Sequence, residues 1–252
     1  MRRKWRVLVI IPIMFATIRC APTAQVQSPD KEATFYFDRG FTHGRQGQYD
    51  EAISDFTRAI QLNPRYAEAY YFRGLTLGIM KEEDQAISDF TMAIKLDPKH
   101  AEAYNNRGVS YGKIGYEDRA ISDFTRAIKL NPQFAAAYTN RGSAYGRIGE
   151  FDQSISDFTK AIELNPRDAK AYSGRGISFG GKGQYKRAIL EFTKAVELDP
   201  DDAEAYFYRA ISYFKGREFD KAWDDVKKAQ ELGYHVDPEF LDDLRKDSGR
   251  QE

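Results

Sequence analysis

AISDFTRAIKLNP, residues 120–132, decides the fold, because nearly the same text returns as AISDFTRAIQLNP (52–64), AISDFTMAIKLDP (86–98), SISDFTKAIELNP (154–166) and AILEFTKAVELDP (188–200). Its prolines stand at 64, 98, 132, 166 and 200, a period of 34 kept without a slip, and a fixed period of this size marks a repeat array. In register run Tyr36, Tyr70, Tyr104, Tyr138, Tyr172 and Tyr206, followed by Gly40, Gly74, Gly108, Gly142 and Gly176. Ala210 stands at the glycine position of the last copy.

Within a repeat the apolar spacing is helical twice. Tyr104, Gly108 and Tyr111 fall at i, i+4 and i+7, and Ala120, Ile121, Phe124, Ala127 and Ile128 form a second stripe of period near 3.6. The pattern predicts two amphipathic helices joined by a short turn at Gly115 and Tyr116. Asp50, Asp84, Asp118, Asp152 and Asp220 are expected to cap the second helices, and each second helix is expected to stop before its proline.

A 34-residue unit carrying Tyr104, Gly108, Tyr111, Ala120, Phe124, Ala127 and Pro132 in this order resembles the tetratricopeptide repeat. The resemblance implies an all-α solenoid, a right-handed superhelix of six helix-turn-helix repeats at 33–66, 67–100, 101–134, 135–168, 169–202 and 203–236, with the first helices lining a concave face. The sixth repeat departs from the pattern, with Val226 for the phenylalanine and Tyr234 for the proline. Residues 237–252 are read as a capping helix and tail: Asp237 suits an N-cap, Pro238 the first turn, and Phe240, Leu241 and Leu244 one apolar face. One helix pair cannot bury its stripe alone, so the ends of such an array need covering.

The N-terminus lies outside the repeat. Residues 1–20 hold Arg2, Arg3, Lys4, Arg6 and Arg19 and no acid, and residues 7–18 are apolar apart from Pro12 and Thr17. A basic start and a short apolar run read as an export signal, too short to span a bilayer of about 30 Å. Cys20 directly after it resembles the lipidated cysteine of bacterial lipoproteins, although Arg19 stands where that pattern has a small residue. Residues 21–32 read as a flexible tether. The expected location is periplasmic or envelope-associated, with any membrane tethering through this N-terminus alone.

Composition closes several function classes. The 252 residues include 38 basic and 38 acidic side chains, so the chain lacks the basic excess expected of a nucleic-acid binder. One cysteine and three scattered histidines, at 43, 100 and 235, offer neither a disulfide framework nor a metal cluster, and no cofactor is expected. GVSYG (108–112) and GISFG (176–180) match the G-x-S-x-G elbow of hydrolases, but that elbow needs a strand, a turn and then a helix. Here both fall inside a first helix, whose two glycines four apart are expected to allow close helix packing. The reading is therefore non-catalytic.

Two sets of residues stand out. Arg39, Arg73, Arg107, Arg141, Arg175 and Arg209 recur sixteen residues before Asp55, Asp89, Asp123, Asp157, Glu191 and Asp225, which suggests one ion pair per repeat, such as Arg107 with Asp123 and Arg141 with Asp157. By the resemblance, the second, fifth, sixth and ninth positions of each repeat face the groove. These positions include Phe37, Phe72, Asn105, Asn106, Asn140, Ser143, Lys170 and Tyr208, with Lys113 and Arg147 nearby. An amide-rich strip of this kind is suited to an extended backbone. The expected function is a scaffold holding a segment of another protein, and the competing reading is a self-assembling structural protein of the envelope.

Overall fold

The computed structural model describes residues 28–250, and their regular structure is thirteen α-helices. Six lie in a first compact unit ending at Pro132: α1 (Ser28–Arg45), α2 (Tyr49–Leu62), α3 (Ala67–Ile79), α4 (Glu83–Leu96), α5 (Ala101–Lys113) and α6 (Glu117–Leu130). Seven lie in a second unit beginning at Gln133: α7 (Ala135–Arg147), α8 (Phe151–Leu164), α9 (Ala169–Gly181), α10 (Tyr185–Leu198), α11 (Ala203–Lys215), α12 (Phe219–Glu231) and α13 (Pro238–Ser248). Each odd helix packs on the even helix after it to form a hairpin, and within a unit each even helix also packs on the next odd one. Cys20 and the export segment lie outside the described residues. Helix α1 starts at Ser28, so the last residues of the stretch read as a tether are helical; Asp30 in its first turn suits the helix dipole and accepts from Asn63 Nδ2 at 3.4 Å.

The turns follow from backbone chemistry. After α5 the chain passes through Gly115 at φ 85°, the Gly115 N–H donates to the Gly112 carbonyl, and the Tyr116 N–H donates back to the Tyr111 carbonyl at 2.9 Å. This is a Schellman motif, which satisfies the last free carbonyls and reverses the chain. Lys81 and Arg217 occupy the same left-handed position after α3 and α11, at φ 67° and 62°. The aspartates expected as caps are not caps. The N-cap residues are Gln48, Glu82, Tyr116, Glu150 and Glu218, none with a side-chain cap bond, because the Schellman turn delivers the chain into the helix two residues before each aspartate. Asp50, Asp84, Asp118, Asp152 and Asp220 lie in the first turn and act on the helix dipole instead. At the other end of each second helix the residue before proline is extended, as at Asn63 (φ −132°, ψ 90°), and its side chain accepts from the Arg65 N–H at 3.0 Å.

Packing explains the first glycine of each pair. A Cβ at Gly108 would lie 2.8 Å from the Phe124 ring, and one at Gly74 2.9 Å from Phe90, so only glycine lets the buried rings of the second helices approach. In the sixth repeat the two departures belong together: Ala210 and Val226 share one core cluster, the added methyl matched by a smaller partner. The second glycine is under less pressure: a Cβ at Gly180 meets nothing within 4 Å, and one at Gly146 would lie 3.4 Å from Ser154 Oγ, an ordinary contact. Helix α13 covers the last hairpin, with Leu244 fully buried among Val226, Val236 and Ala222 and with Asp237 capping it through the Glu239 N–H.

Candidate functional site

In the first unit, α3 and α5 carry groove positions, and the structure departs there from the sequence reading. Asn105 and Asn106 are only 2% and 7% exposed. Asn106 Nδ2 donates to the Tyr71 hydroxyl at 3.0 Å, and Asn105 Nδ2 donates to Asn106 Oδ1 at 3.3 Å. Short amides at these positions reach the neighbouring first helix rather than solvent, so this pair is interior polar structure and not an open peptide-binding strip. Tyr71 sits against His100 with ring centroids 4.5 Å apart, and burial pushes its phenol well above the ordinary tyrosine range, with Glu102 adding to the rise. Lys113 is committed too: its Nζ lies 2.6 Å from Glu83 Oε1 and 3.2 Å from the Gly78 carbonyl, tying the end of α5 to the hairpin before it. Phe72 is buried among Phe37, Phe41 and Phe56.

The second unit keeps its first-helix face more open. Asn140, Ser143 and Arg147 on α7 are half-buried, and the Ser143 hydroxyl donates to the Thr139 carbonyl at 2.9 Å, spending its proton on its own helix. Lys170 opens α9 on the exposed side; partial burial lowers its ammonium below the usual lysine range, against the opposing pull of Asp168, Asp202 and Asp199. Asp168 caps α9 by accepting from the Lys170 and Ala171 N–H groups and also accepts from Thr139 Oγ1 at 3.1 Å. Gly174 and Gly181 of α9 seat rings of α8, since a Cβ there would lie 2.2 Å from Phe158 and 2.5 Å from Phe151, while Gly180 is open; the aromatic positions of α11, Phe207 and Tyr208, are half-buried.

Opposite this face runs the arginine ladder. In the third repeat Arg107 places Nε 2.8 Å from Asp123 Oδ2 and a terminal nitrogen 2.8 Å from Asp123 Oδ1, and its other terminal nitrogen donates to Thr91 Oγ1 of the preceding hairpin at 3.0 Å. Arg141 grips Asp157 with the same fork, at 2.7 and 2.8 Å. The aspartates are buried and the guanidinium groups lie over tyrosine rings, Arg107 at 5.6 Å from Tyr104 and Arg209 at 5.3 Å from Tyr206. Glu191, one methylene longer, meets both Arg175 donors with a single oxygen. Arg73, Arg175 and Arg209 repeat the threonine contact with Thr57, Thr159 and Thr193. This ladder joins hairpins within each unit and is structural. Sequence spacing revealed the arginine and acid; the threonine partner at the 25th position was visible in SDFT but carried no signal by itself.

The serines of the two elbow-like strings lie in mid-helix. Ser110 is buried on α5, and Ser178 on α9 meets Ser154 Oγ at 2.7 Å and the Gly174 carbonyl at 2.9 Å. Neither stands on a strand-to-helix turn. Among the described residues no group of His, Cys, Asp and Glu is placed to hold a metal ion, and no helix is long and apolar enough to cross a membrane.

Hairpins of two short helices, stacked at a 34-residue period and glued by interior pairs, define a repeat scaffold of the protein-binding kind. The chain belongs to the tetratricopeptide repeat family: models of that repeat match residues 67–100, 101–134 and 135–168, and a further TPR repeat model matches 45–78 and 181–216. No curated protein matches. Among solved structures, MamA is 30% identical, with 69% of this chain and 95% of MamA covered at a TM-score of 0.62. YrrB, described as a TPR protein with an unusual peptide-binding site, is 23% identical over 77% of this chain and 97% of its own at a TM-score of 0.60. Pseudomonas aeruginosa PilF shares the fold at 15% identity, covering 88% of this chain and 99% of that one with a TM-score of 0.72.

Proposed function

We propose that this chain is a non-catalytic scaffold that holds an extended segment of another protein on its first-helix faces, and that it works outside the cytoplasm. The observation that carries the binding reading is the half-exposed first-helix face of the second unit, where Asn140, Ser143 and Arg147 on α7 stand beside α9, with Lys170 exposed at its start. Short polar side chains on such a face can bond an extended backbone, and a lysine already short of full solvation gains from an acidic guest. Panning a peptide display library against the full chain tests this. Selected peptides are expected to lose at least tenfold in affinity on Lys170→Glu and on Ser143→Glu, while Lys194→Glu on α10 leaves binding unchanged; equal binding by all three variants places the partner elsewhere.

Open-ended self-assembly is the poorer reading. Where a first helix receives the preceding hairpin, the third position of the repeat is a buried alanine, as at Ala69, Ala103, Ala171 and Ala205. In α1 that position is Phe35, 57% exposed, whose ring obstructs an in-register neighbour. At the far end Lys227 stands where the ladder needs threonine, and α13 already covers the hairpin. For location, the reading rests on the basic and apolar residues 1–20. A reporter active only outside the cytoplasm, fused at residue 30, is expected to give signal, and Cys20→Ala is expected to release the protein from the membrane fraction.

A further inference from the structure

A turn of 100° per residue puts positions 7 and 11 of each first helix opposite positions 2, 5, 6 and 9, so the ladder side is separate from the proposed groove. Position 11 on this side is aromatic in four repeats: Tyr111, Tyr145, Phe179 and Tyr213. The ladder arginine lies against three of these rings, at 5.9 Å for Tyr111, 6.0 Å for Tyr145 and 6.0 Å for Tyr213. A second cation from position 19 covers three of them: Arg119 at 5.6 Å from Tyr111, Arg187 at 5.4 Å from Phe179 and Lys221 at 5.4 Å from Tyr213.

The second repeat lacks both parts at once, with Leu77 at position 11 and Gln85 at position 19. A cleft of about 270 Å³ opens there between α2, α3 and α4, walled by Ile53 and Leu77, with Arg73 at its side and Gln85 and Ser88 among its polar lining. That volume exceeds the roughly 150 Å³ that accepts a benzene-sized guest. Arg107 in the third repeat lies against two rings, Tyr104 and Tyr111, whereas Arg73 meets Tyr70 at 5.7 Å and has leucine where the second ring belongs. Its fork is already fixed on Asp89 at 2.7 and 2.8 Å, so the guanidinium is held in place before any guest arrives.

We propose that this cleft is a docking slot for a tyrosine side chain presented by a segment of another protein, its ring taking the place that Tyr111 fills in the third repeat. The chain's own repeats specify the guest. An aromatic face satisfies Arg73 by a cation–π contact that an aliphatic side chain cannot make, and the hydroxyl and flanking amides meet Gln85 and Ser88. The slot is independent of the groove, so either assignment stands if the other fails.

The test is a titration of the full chain with the blocked peptide acetyl-Gly-Tyr-Gly-amide, followed by NMR at Ile53, Leu77 and Ser88. Saturable shifts at these residues are expected, with binding at least tenfold weaker for the leucine analogue. The variant L77Y/Q85R builds the Tyr111–Arg119 arrangement into the second repeat; it is expected to lose the peptide at least tenfold while keeping or raising its unfolding midpoint. Absence of saturable shifts, or undiminished binding to the variant, overturns the proposal. A lowered midpoint shows that the cleft does not accept a ring and overturns it as well, and free phenol binding as tightly as the peptide makes this a small-molecule site instead.

Discussion

At the scale of single residues, the protein is held by pairs whose members are matched in size or charge. Gly108 and Phe124 are one such pair, and the sixth repeat has solved the same contact with Ala210 and Val226. Gly108→Ala forces the ring aside and is expected to cost about 1–3 kcal/mol, and Phe124→Val alone leaves a void costing about 2–4 kcal/mol. The double substitution is expected to cost at least about 1 kcal/mol less than the two single costs added, read from urea midpoints in a double-mutant cycle. Strict additivity contradicts the size-matching account. Charge matching has its own signature at Asp55, whose carboxyl is held below the usual range mainly by the hydrogen bond from Arg39, against the effect of burial and with His43 beside it. A depressed folded-state value means that the ionised carboxylate stabilises the fold above an unfolded pKa of about 3.9 and that this contribution disappears as the pH falls through the folded value. The stability gap between the native chain and Asp55→Asn is therefore expected to shrink as the pH is lowered from about 5 toward 3, as followed by urea unfolding at each pH.

At the scale of elements, the period of 34 carried most of the hairpin architecture, because a helix face, a turn and a proline each leave a mark that a fixed period repeats. What it left out were features that depend on a partner in space. Asn105 and Asn106 read as a groove strip for an extended backbone, because the sequence does not show that Tyr71, in the repeat before, accepts the Asn106 amide. The aspartates after the turn read as caps because the sequence does not display the Schellman bonds that bring the chain in two residues earlier. The same turn supplies a prediction. Its left-handed residue is Gly47, Gly115, Gly149 and Gly183 in four repeats, but Lys81 and Arg217 in the other two, where a β-carbon crowds the following carbonyl. Lys81→Gly and Arg217→Gly relieve a strain of about 1–2 kcal/mol and lose part of that to the added freedom of the unfolded chain. Each is expected to raise stability by roughly 0.5–1 kcal/mol in denaturant titrations. A drop shows that the lysine or arginine side chain contributes more through its contacts than its backbone costs.

At the scale of the molecule, a repeat array must be told where to stop. Every internal hairpin presents one apolar face to the hairpin before it and one to the hairpin after it, and after α11 and α12 a single helix stands where another hairpin would. Helix α13 answers this with Leu244, which sinks to 0% exposure in the cluster of Val226 and Val236, while Phe240 and Leu241 close its edge and Trp223 Nε1 donates to the Ser248 hydroxyl at 3.2 Å. Leu244→Asp puts a carboxylate into that cluster with no partner, and a buried ion of this kind costs several kcal/mol unless the helix lifts away. Lifting is the cheaper response, since α13 is a single short helix laid on the last hairpin, and it lays bare Val226, Trp223, Phe207 and Phe214 as an apolar patch. Such a patch associates. The native chain is therefore expected to keep one mass by light scattering across micromolar concentrations, whereas Leu244→Asp gains mass with concentration and loses protection from hydrogen exchange in α12 and α13 first. A native chain that already gains mass in that range means that α13 is not a terminal cap and returns end-to-end assembly to the front.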